Sequence, residues 1–449
     1  MKTKFLAALV ATCFAAPVMA QSNVSIYGVA DAGIMKQSGQ TLRVVSGIAD
    51  GSRIGFKGSE DLGGGMRAIF NLEARVELDT GSQKPTLLSD EQGLYLTRGM
   101  GAGFSSVLAP LGPVNSAALS AGLLGQIRGG LQVKNAPAVN PEGALFDRTA
   151  YVGLVTPVGA VMLGRMYTPG YEVFAAADAF ESGTAGTWGG ITGGTAGFTN
   201  LGADIRSSKS IQYRIATPAG FGGSIMYGAK GSGYLNRYNK FYGGAATYKA
   251  NGLDVGIAHN RSYDQSDRVS LVTSTIGGSY TMGDFKFFAG YHDQRNRNSV
   301  LMVDYTNAYT ASIAPAVAAQ LTGAGLPAGT VAALGAGLRN VFLNNIAVNS
   351  QVDAASYQLG LHYKVGAGRV MASVAHQNDR TASDSDANLF ALGYDYNLSK
   401  RTDIYAVAAM IKNSNEGQYI PGAAGSPGGF TKTPGENTRG YQIGVRHRF

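Results

Sequence analysis

The stretch Tyr441-Gln-Ile-Gly-Val-Arg-His-Arg-Phe449 alternates apolar and polar residues up to the last position of the sequence. Successive side chains of an extended strand point to opposite faces, so the alternation sorts them into two rows. One face carries the row Tyr441, Ile443, Val445, His447 and Phe449. The other face carries Gln442, Gly444, Arg446 and Arg448. Such a strand needs either a protein core or lipid against its apolar face.

The amino-terminal residues favour lipid. Residues 1–20 combine two lysines, an apolar run and small residues before Gln21, which is the pattern of a secretory signal peptide. We expect residues 21–449 to form the exported chain, as a single domain. The one cysteine, Cys13, lies within the signal, so the exported chain should contain no disulfide.

Composition and charge exclude several classes of protein. Removal of Lys2 and Lys4 with the signal lowers the formal net charge from +8 to +6, and no run of basic residues occurs, so nucleic acid is not an expected partner. Outside the signal we find no stretch of about 18 apolar residues, so no membrane-spanning helix is expected. The 64 Gly, 23 Tyr and 18 Phe residues favour turns and aromatic-bearing strands.

The alternation recurs along the whole chain in segments of about ten residues. An Arg or Lys facing the middle of a bilayer costs about 2 to 4 kcal/mol. We therefore expect Arg53 and Lys57 to face inward and Ile54 and Phe56 to face lipid. By the same rule, the inward row of the next strand is Asn71, Glu73, Arg75 and Glu77.

Tight breaks alternate with long ones along the chain, which is typical of hairpins in an up-and-down barrel. The tight breaks lie at 61–65, 157–159, 218–222, 251–252, 282–284, 366–368 and 399–402. The segments number about sixteen, a size at which a barrel encloses water. The fold predicted is all-β, a transmembrane up-and-down antiparallel β-barrel. A soluble sandwich would share this alternation, but the mixed charges of the inner row and the tyrosines at strand ends favour the barrel.

These residues resemble a known family, the sixteen-stranded trimeric general porins of Gram-negative outer membranes, in the form found in β-proteobacteria. The motifs that carry the resemblance are Val24-Ser-Ile-Tyr-Gly-Val-Ala-Asp-Ala-Gly33, Gly51-Ser-Arg-Ile-Gly-Phe-Lys-Gly-Ser-Glu-Asp-Leu-Gly-Gly-Gly65, Ala68-Ile-Phe-Asn-Leu-Glu73, Arg148-Thr-Ala-Tyr-Val-Gly-Leu154, Leu163-Gly-Arg-Met-Tyr-Thr-Pro169 and Gly444-Val-Arg-His-Arg-Phe449. The resemblance implies a homotrimer in the outer membrane, with long extracellular loops, short periplasmic turns and no cofactor or metal. It also implies that the barrel-assembly machinery reads the last strand, which assigns an assembly role to Tyr441 and Phe449.

The resemblance further implies a constriction where the third extracellular loop, about 168–208, folds into the lumen. Loop carboxylates would face a ladder of wall arginines, with Arg53, Arg148 and Arg165 at the matching positions and Arg75 on the same inward face. The loop acids nominated are Glu172, Asp178 and Glu181. Opposed charges set up a transverse field that aligns water and disfavours apolar solutes. The wall arginines and the positive net charge favour anions weakly.

Two extracellular loops are enlarged relative to the family, at about 79–145 and about 294–350. Both contain apolar pieces, and residues 330–343 could form a short amphipathic helix. Such loops need a cover. Either they pack on one another and partly roof the pore mouth, or the first one holds a neighbouring subunit.

Rival functions follow from the same sequence. The five histidines are scattered and form no His-x-Ser pair or ligand cluster, so we expect neither an enzyme nor a metal site. A solute-specific channel is the more serious alternative, because such barrels share the outer pattern and add a row of inward aromatics. Phe288 is one inward aromatic, but no run of them occurs. The expected function is passive diffusion of ions and small hydrophilic solutes.

Overall fold

The computed structural model of the chain describes residues 23–83, 95–130, 143–192, 205–233, 237–300, 302–423 and 428–449. Its strands belong to one antiparallel sheet in which neighbours in sequence are neighbours in space. The strands are β1 Asn23–Gln37, β2 Arg43–Ser46, β3 Arg53–Gly63, β4 Met66–Arg75, β5 Ala150–Thr156, β6 Gly159–Tyr167, β7 Arg206–Ala216, β8 Phe221–Gly228, β9 Lys240–Ala250, β10 Leu253–Tyr263, β11 Val269–Met282, β12 Phe285–Asn296, β13 Val352–Val365, β14 Gly368–Asp379, β15 Ala387–Asn397, β16 Thr402–Asn413 and β17 Thr438–Arg448.

The sheet closes on itself between its first and last strands. β1 pairs with β17 from Val29 opposite Arg448 to Gln37 opposite Gly440. The other side of β1 pairs with β3 in its first half and with β2 in its second half. β2 and β3 thus act as one broken wall strand, and the barrel has the sixteen strands that the sequence predicted. Closure leaves no open edge, which a membrane requires.

The face assignments made from the sequence are confirmed on the last strand. Tyr441 and Ile443 are 51% and 68% exposed on the outside, whereas Gln442 and Arg446 are 1% and 5% exposed and point inward. Apolar side chains cover the outer surface, and hydrogen-bonded polar side chains fill the inner one. This distribution is the reverse of that in a soluble protein, because the outer surface of the barrel contacts lipid and the inner surface contacts water.

The tight breaks predicted from the sequence all join adjacent strands at one end of the barrel. Several depend on glycine with positive φ, such as Gly65 at 77° and Gly252 at 80°. A left-handed conformation costs glycine little, and it lets two strands reverse within two to four residues. The enlarged loops lie at the opposite end.

The described parts of both enlarged loops contain helices. These are α1 Met100–Leu108, α2 Pro113–Gly130, α4 Met302–Ala308, α5 Ala314–Gly323 and α6 Ala328–Asn349, with a π-helical turn at Tyr309–Ile313. α6 is longer than the predicted helix over residues 330–343. We call these five helices the crown. The remaining α-helix of the described residues, α3 Pro169–Ala177, belongs to the loop between β6 and β7.

The crown helices pack on one another. Phe104, Leu108, Leu321, Phe342 and Ile346 are fully or almost fully buried in one apolar cluster. That cluster continues into inward-facing residues of the wall, among them Met162, Met226 and Phe241. The crown therefore sits over the mouth on the side of β6 to β11, which is the first of the two arrangements that the sequence left open.

Contacts with other loops fix the crown in place. The Tyr95 ring stacks on Phe430 with centroids 5.4 Å apart, and its hydroxyl donates to the carbonyl of Asn349 at 2.5 Å. Arg98 forms an ion pair with Glu416 at 2.9 Å. Both partners beyond the crown, Phe430 and Glu416, lie in the loop between β16 and β17.

α6 corrects one expectation from the sequence. Among the described residues it is the one helix long and apolar enough to cross a membrane by length and composition. Its small residues and four asparagines interrupt the run of large apolar residues, so the sequence contains no continuous apolar stretch at this position. Its contacts with α1 and α5 place it within the crown.

Candidate channel constriction

Residues 169–192 follow β6 and lie against the inner wall. α3 begins at Pro169, and the Thr168 hydroxyl caps it by accepting a hydrogen bond from the Tyr171 amide at 3.2 Å. α3 packs on β10 and β11. Glycine makes this approach possible, because a Cβ on Gly277 would lie 2.9 Å from the Ala177 Cβ.

Asp178 organises the turn that follows α3. Its carboxylate accepts hydrogen bonds from the amides of Phe180 and Ser182, at 2.9 and 3.0 Å, and from the Thr187 hydroxyl at 2.5 Å. The residue is 0% exposed, and burial raises the pKa of its carboxyl to about 6. The side chain therefore faces the loop backbone and not the water of the lumen.

The tip of the loop is held in an unusual backbone conformation. Glu181, Ser182 and Thr184 have φ values of 57° to 58°, which L-residues seldom adopt. The Thr184 amide donates to the carbonyl of Ile48 at 2.6 Å. Ile48 lies in the break between β2 and β3, so the tip of the loop is hydrogen-bonded to the wall at this break.

The same break is held open by a buried carboxylate on β1. Asp31 is 0% exposed and accepts from the amides of Ala49 and Asp50 at 2.9 and 2.6 Å. Those amides would otherwise pair within the sheet. Asp50 is thereby turned toward Arg53, with which it forms an ion pair at 2.7 Å.

Glu181 reaches across to the wall at β14. Its carboxylate makes a two-point contact with Arg369, at 2.5 and 2.9 Å, and Arg369 also bonds Asp395 at 3.1 Å. Burial opposes ionisation, but the Arg369 guanidinium outweighs it and lowers the pKa of Glu181 to about 2. The Glu181 side chain remains 44% exposed, so it is a charged group that lumen water can reach.

Glu172 pairs with a different wall strand. Both carboxylate oxygens accept from Arg214 on β7, at 2.6 and 2.7 Å. Burial raises the pKa of Glu172, and Arg214 offsets part of that rise. The three predicted loop acids thus have three different environments.

The four predicted wall arginines also differ in their bonding partners. Arg53 and Arg148 share one carboxylate, Glu73, at 3.4 Å each. Arg75 is 2% exposed and pairs with Glu77. Arg165 is 8% exposed and donates to the carbonyl of Asp147 at 2.9 Å and to the Ser208 hydroxyl at 3.0 Å.

Sequence reasoning missed three further arginines of the inner wall. Arg206 lies with its guanidinium 4.3 Å from the centroid of the Tyr167 ring and donates to the Tyr167 hydroxyl at 2.7 Å. Arg148 donates to the same hydroxyl at 3.2 Å. Arg214 and Arg369 could have been nominated from alternation, because each occupies an inward position on its strand. Arg206 is the first residue of β7, and the sequence before it has no alternating pattern from which its facing could be assigned.

A second loop enters the lumen and was not anticipated. The Gln442 side chain accepts from the Ala185 amide at 2.7 Å and donates to the carbonyl of Gly422 at 2.7 Å. Gln37 donates to the carbonyl of Pro421. The loop between β16 and β17 therefore lies beside the tip of the constriction loop, held by two inward-facing glutamines.

The predicted assembly residues lie at the outer surface of the closing strand. Phe449 continues the pairing of β17 with β1, since its amide donates to the carbonyl of Gly28 at 3.2 Å and its carbonyl accepts from the Gly28 amide at 3.0 Å. Its ring covers Gly28, where a Cβ would lie 2.4 Å from the ring. Tyr441 faces outward eight residues earlier, near the start of β17, in register with Lys36.

No group of three or more His, Cys, Asp or Glu side chains suited to a metal ion occurs in the part of the chain that the structure describes. A closed sixteen-stranded barrel with an apolar outer wall, a charged inner wall and an inward-folded loop defines a transmembrane channel.

Comparison with known proteins specifies which channel family this is. A profile of the Gram-negative porin family matches residues 6–416. The chain belongs to the Gram-negative porin family, and it is an outer-membrane porin.

Individual relatives cover the whole chain at low identity. Outer membrane porin protein 32 of Delftia acidovorans is 24% identical over 99% of both chains. An outer membrane porin of Bordetella pertussis is 23% identical over the full length of both. Among solved structures, an anion-selective porin from Comamonas acidovorans matches with a TM-score of 0.62 and 21% identity, covering 96% of this chain and all of that one. This match confirms the fold.

Proposed function

We propose that this porin is a general diffusion channel for ions and small hydrophilic solutes, with a weak preference for anions. The observation that carries the proposal is the basic cluster on the inner wall. There, the guanidinium groups of Arg53 and Arg148 pair with the carboxylates of Asp50 and Glu73, and Arg206 lies beside them, bound to the Tyr167 hydroxyl that Arg148 also contacts. Three cations against two anions leave a positive excess, which raises the local concentration of anions.

The arrangement of charges explains how the channel selects without binding tightly. The basic cluster lies on β3, just before β5 and at the start of β7, whereas Glu181 contacts β14, so a field crosses the gap between them. Water aligns in that field, and an apolar solute that displaces it loses those interactions. The Comamonas structure with the same fold is described as anion-selective, which agrees with the proposed preference.

The aromatic residues near the constriction favour an unspecific pore. Trp188 and Phe288 are 0% and 4% exposed, and Phe174 stacks on Trp188 with centroids 4.4 Å apart. These rings pack the constriction loop against the wall and leave little aromatic surface for a sugar or nucleoside. We therefore rank the solute-specific channel second.

The predicted site residues take different roles in this proposal. Arg53 and Glu181 act on ions directly, since their side chains are 18% and 44% exposed to the lumen. Arg148 is 6% exposed and acts through Glu73, with which it pairs. Glu172 acts with Arg214 nearer the wall. Asp178 holds the loop, and Arg75 and Arg165 stabilise the wall beneath it. Tyr441 and Phe449 serve assembly, in which Phe449 also completes the pairing with β1.

We further propose a homotrimer, supported by an asymmetry of the outer wall. Among the described residues, every Tyr or Phe side chain that is strongly exposed lies from β7 onward, whereas the exposed large side chains of β1 to β6 are Val, Ile, Leu and Met. Aromatic side chains mark the lipid–water interface of membrane proteins. β1 to β6 turn only two aromatic side chains outward, Phe56 and Phe70, and both are partly covered, so this side of the wall suits contact between subunits.

The experiment is a measurement of reversal potential and single-channel conductance in a planar bilayer under a KCl gradient. We compare wild type with Arg53→Ala, and with Arg261→Ala as control, because Arg261 faces outward on β10. Wild type should give large ohmic steps with a chloride-favouring potential. Arg53→Ala should lower the chloride-to-potassium permeability ratio about twofold, and Arg261→Ala should leave it unchanged.

The outcomes separate the candidate functions. Conductance that saturates with one solute, or steps seen only with that solute, would support the specific channel. Ohmic steps that are indifferent to Arg53→Ala would keep the channel but remove the basic cluster as the source of selectivity.

A further inference from the structure

The outer wall near the end of the chain carries a groove that the channel function does not use. It spans β13 to β17 and has a volume of about 660 Å³. Its floor is made of the small outward residues Ala372 and Ala408, and its sides of Val374, Phe390 and Met410. Flanking strands bear larger side chains at these heights, so the groove is a dent in an otherwise even lipid-facing surface.

One end of the groove is cationic. Arg439 belongs to its lining and pairs in register with Met410. Lys412 lies two residues beyond Met410 on the same strand and also faces outward, which places it as a diagonal neighbour of Arg439. Both side chains are exposed. The cations stand at the end of the barrel that carries the long loops, which is the level of the outer-leaflet headgroups.

Neither cation has a counter-ion in the described part of the protein. The Lys412 ammonium lies 5.7 Å from the centroid of the Phe390 ring, and no carboxylate pairs with it or with Arg439. The outward positions of β14 to β17 contain no Asp or Glu. By contrast, the outward cations around β12 and β13 are paired, as Arg295 is with Asp293 at 3.2 Å.

We propose that this groove binds a phosphorylated lipid of the outer leaflet. One acyl chain lies over Ala372 and Ala408, and a headgroup phosphate is bound by Arg439 and Lys412. Arg matches phosphate oxygens with two parallel hydrogen bonds, and Lys adds a point charge. An anionic headgroup complements the unpaired cations, and the exposed Tyr441 beside the groove agrees with lipid on this side of the barrel.

The test uses the full-length protein folded in detergent and titrated with diphosphoryl lipid A, with binding read by native mass spectrometry. The variants are Lys412→Gln/Arg439→Gln, which removes the headgroup contacts, and Ala408→Trp, which fills the groove. Arg261→Gln is the matched control, since it removes an outward cation at the same end of the wall on β10. Each variant is first checked for wild-type conductance to show that the barrel is folded.

We expect one lipid per subunit in wild type and in Arg261→Gln, and about tenfold weaker binding in both groove variants. Dephosphorylated lipid A should bind wild type as weakly as the double variant binds the phosphorylated lipid. Equal binding of the two lipids, or binding unaffected by either groove variant, would overturn the proposal. A lower trimer dissociation temperature in Ala408→Trp with unchanged lipid binding would show that a second copy occupies the groove.

Discussion

At the scale of single residues, environment decides what a carboxylate does in this lumen. Glu172, Asp178 and Glu181 lie within ten positions of one another. Burial raises the pKa of Asp178. At Glu172 a partly exposed ion pair with Arg214 offsets part of the rise that burial causes, and at Glu181 the pair with Arg369 reverses it. Residue type therefore predicted a charge at each position, but not its availability to ions.

This difference gives a prediction about pH. The pKa of Glu181 is lowered to about 2, so its charge, and the stabilisation from Arg369, should persist until the pH falls well below 4. The pKa of Glu172 is raised, so its charge should be lost at a higher pH than usual. Reversal potentials at pH 7 and pH 4 should show a Glu181→Gln effect of equal size and a Glu172→Gln effect that shrinks on acidification.

The two variants serve as controls for each other, because each removes one carboxylate of the same loop. A Glu181→Gln effect that also vanishes at pH 4 would show that Arg369 does not hold the carboxylate ionised. Equal behaviour of the two variants would mean that the channel does not distinguish their environments.

At the scale of elements, glycine sets how closely helices approach in the crown. A Cβ on Gly103 of α1 would lie 2.6 Å from Val341 of α6, and one on Gly337 of α6 would lie 2.9 Å from Val107 of α1. The two helices therefore meet at reciprocal glycine contacts. Gly335, two residues earlier on α6, has open space where a Cβ would lie.

We predict that Gly337→Leu loosens the crown and that Gly335→Leu does not. Overpacking of this kind costs about 1 to 3 kcal/mol. Because the crown covers one side of the mouth, loosening it should increase single-channel conductance and the rate at which larger sugars enter proteoliposomes. Unchanged conductance, with new protease cleavage in the crown, would show that the crown opens without limiting flow.

At the scale of the whole molecule, the outer wall divides into a part rich in exposed aromatic side chains and a part whose exposed large side chains are aliphatic. We predict that Ala30→Trp, on the outward face of β1, lowers the dissociation temperature of the trimer, since a large ring in a packed subunit contact costs about 1 to 3 kcal/mol. Ala289→Trp, on the outward face of β12, adds the same ring where lipid is expected and should have little effect.

The measurement is the temperature at which the trimer band disappears in semi-native electrophoresis. Equal shifts in both variants would indicate a general effect on the barrel. A shift confined to Ala289→Trp would move the subunit contact to the aromatic side and contradict our assignment.

The sequence by itself determined the class of fold and the two faces of its wall. Alternation has a period of two in every strand, and a bilayer penalises a misplaced charge strongly, so the pattern could be read strand by strand from Arg53 to Phe449. The turns were equally readable, because each needs glycine or polar residues within a few positions. Both signals are local, and local signals survive without tertiary information.

Only the tertiary structure decided which charges meet and what lies in the lumen. Glu181 pairs with Arg369, 188 positions away, and Gln442 holds Ala185 across 257 positions. The crown brings residues near 100 and 340 together, and the loop between β16 and β17 joins the constriction. These contacts depend on how loops without a repeating period fold back on the wall. Their partners are chosen by packing and hydrogen bonding in three dimensions, which alternation along one strand cannot encode.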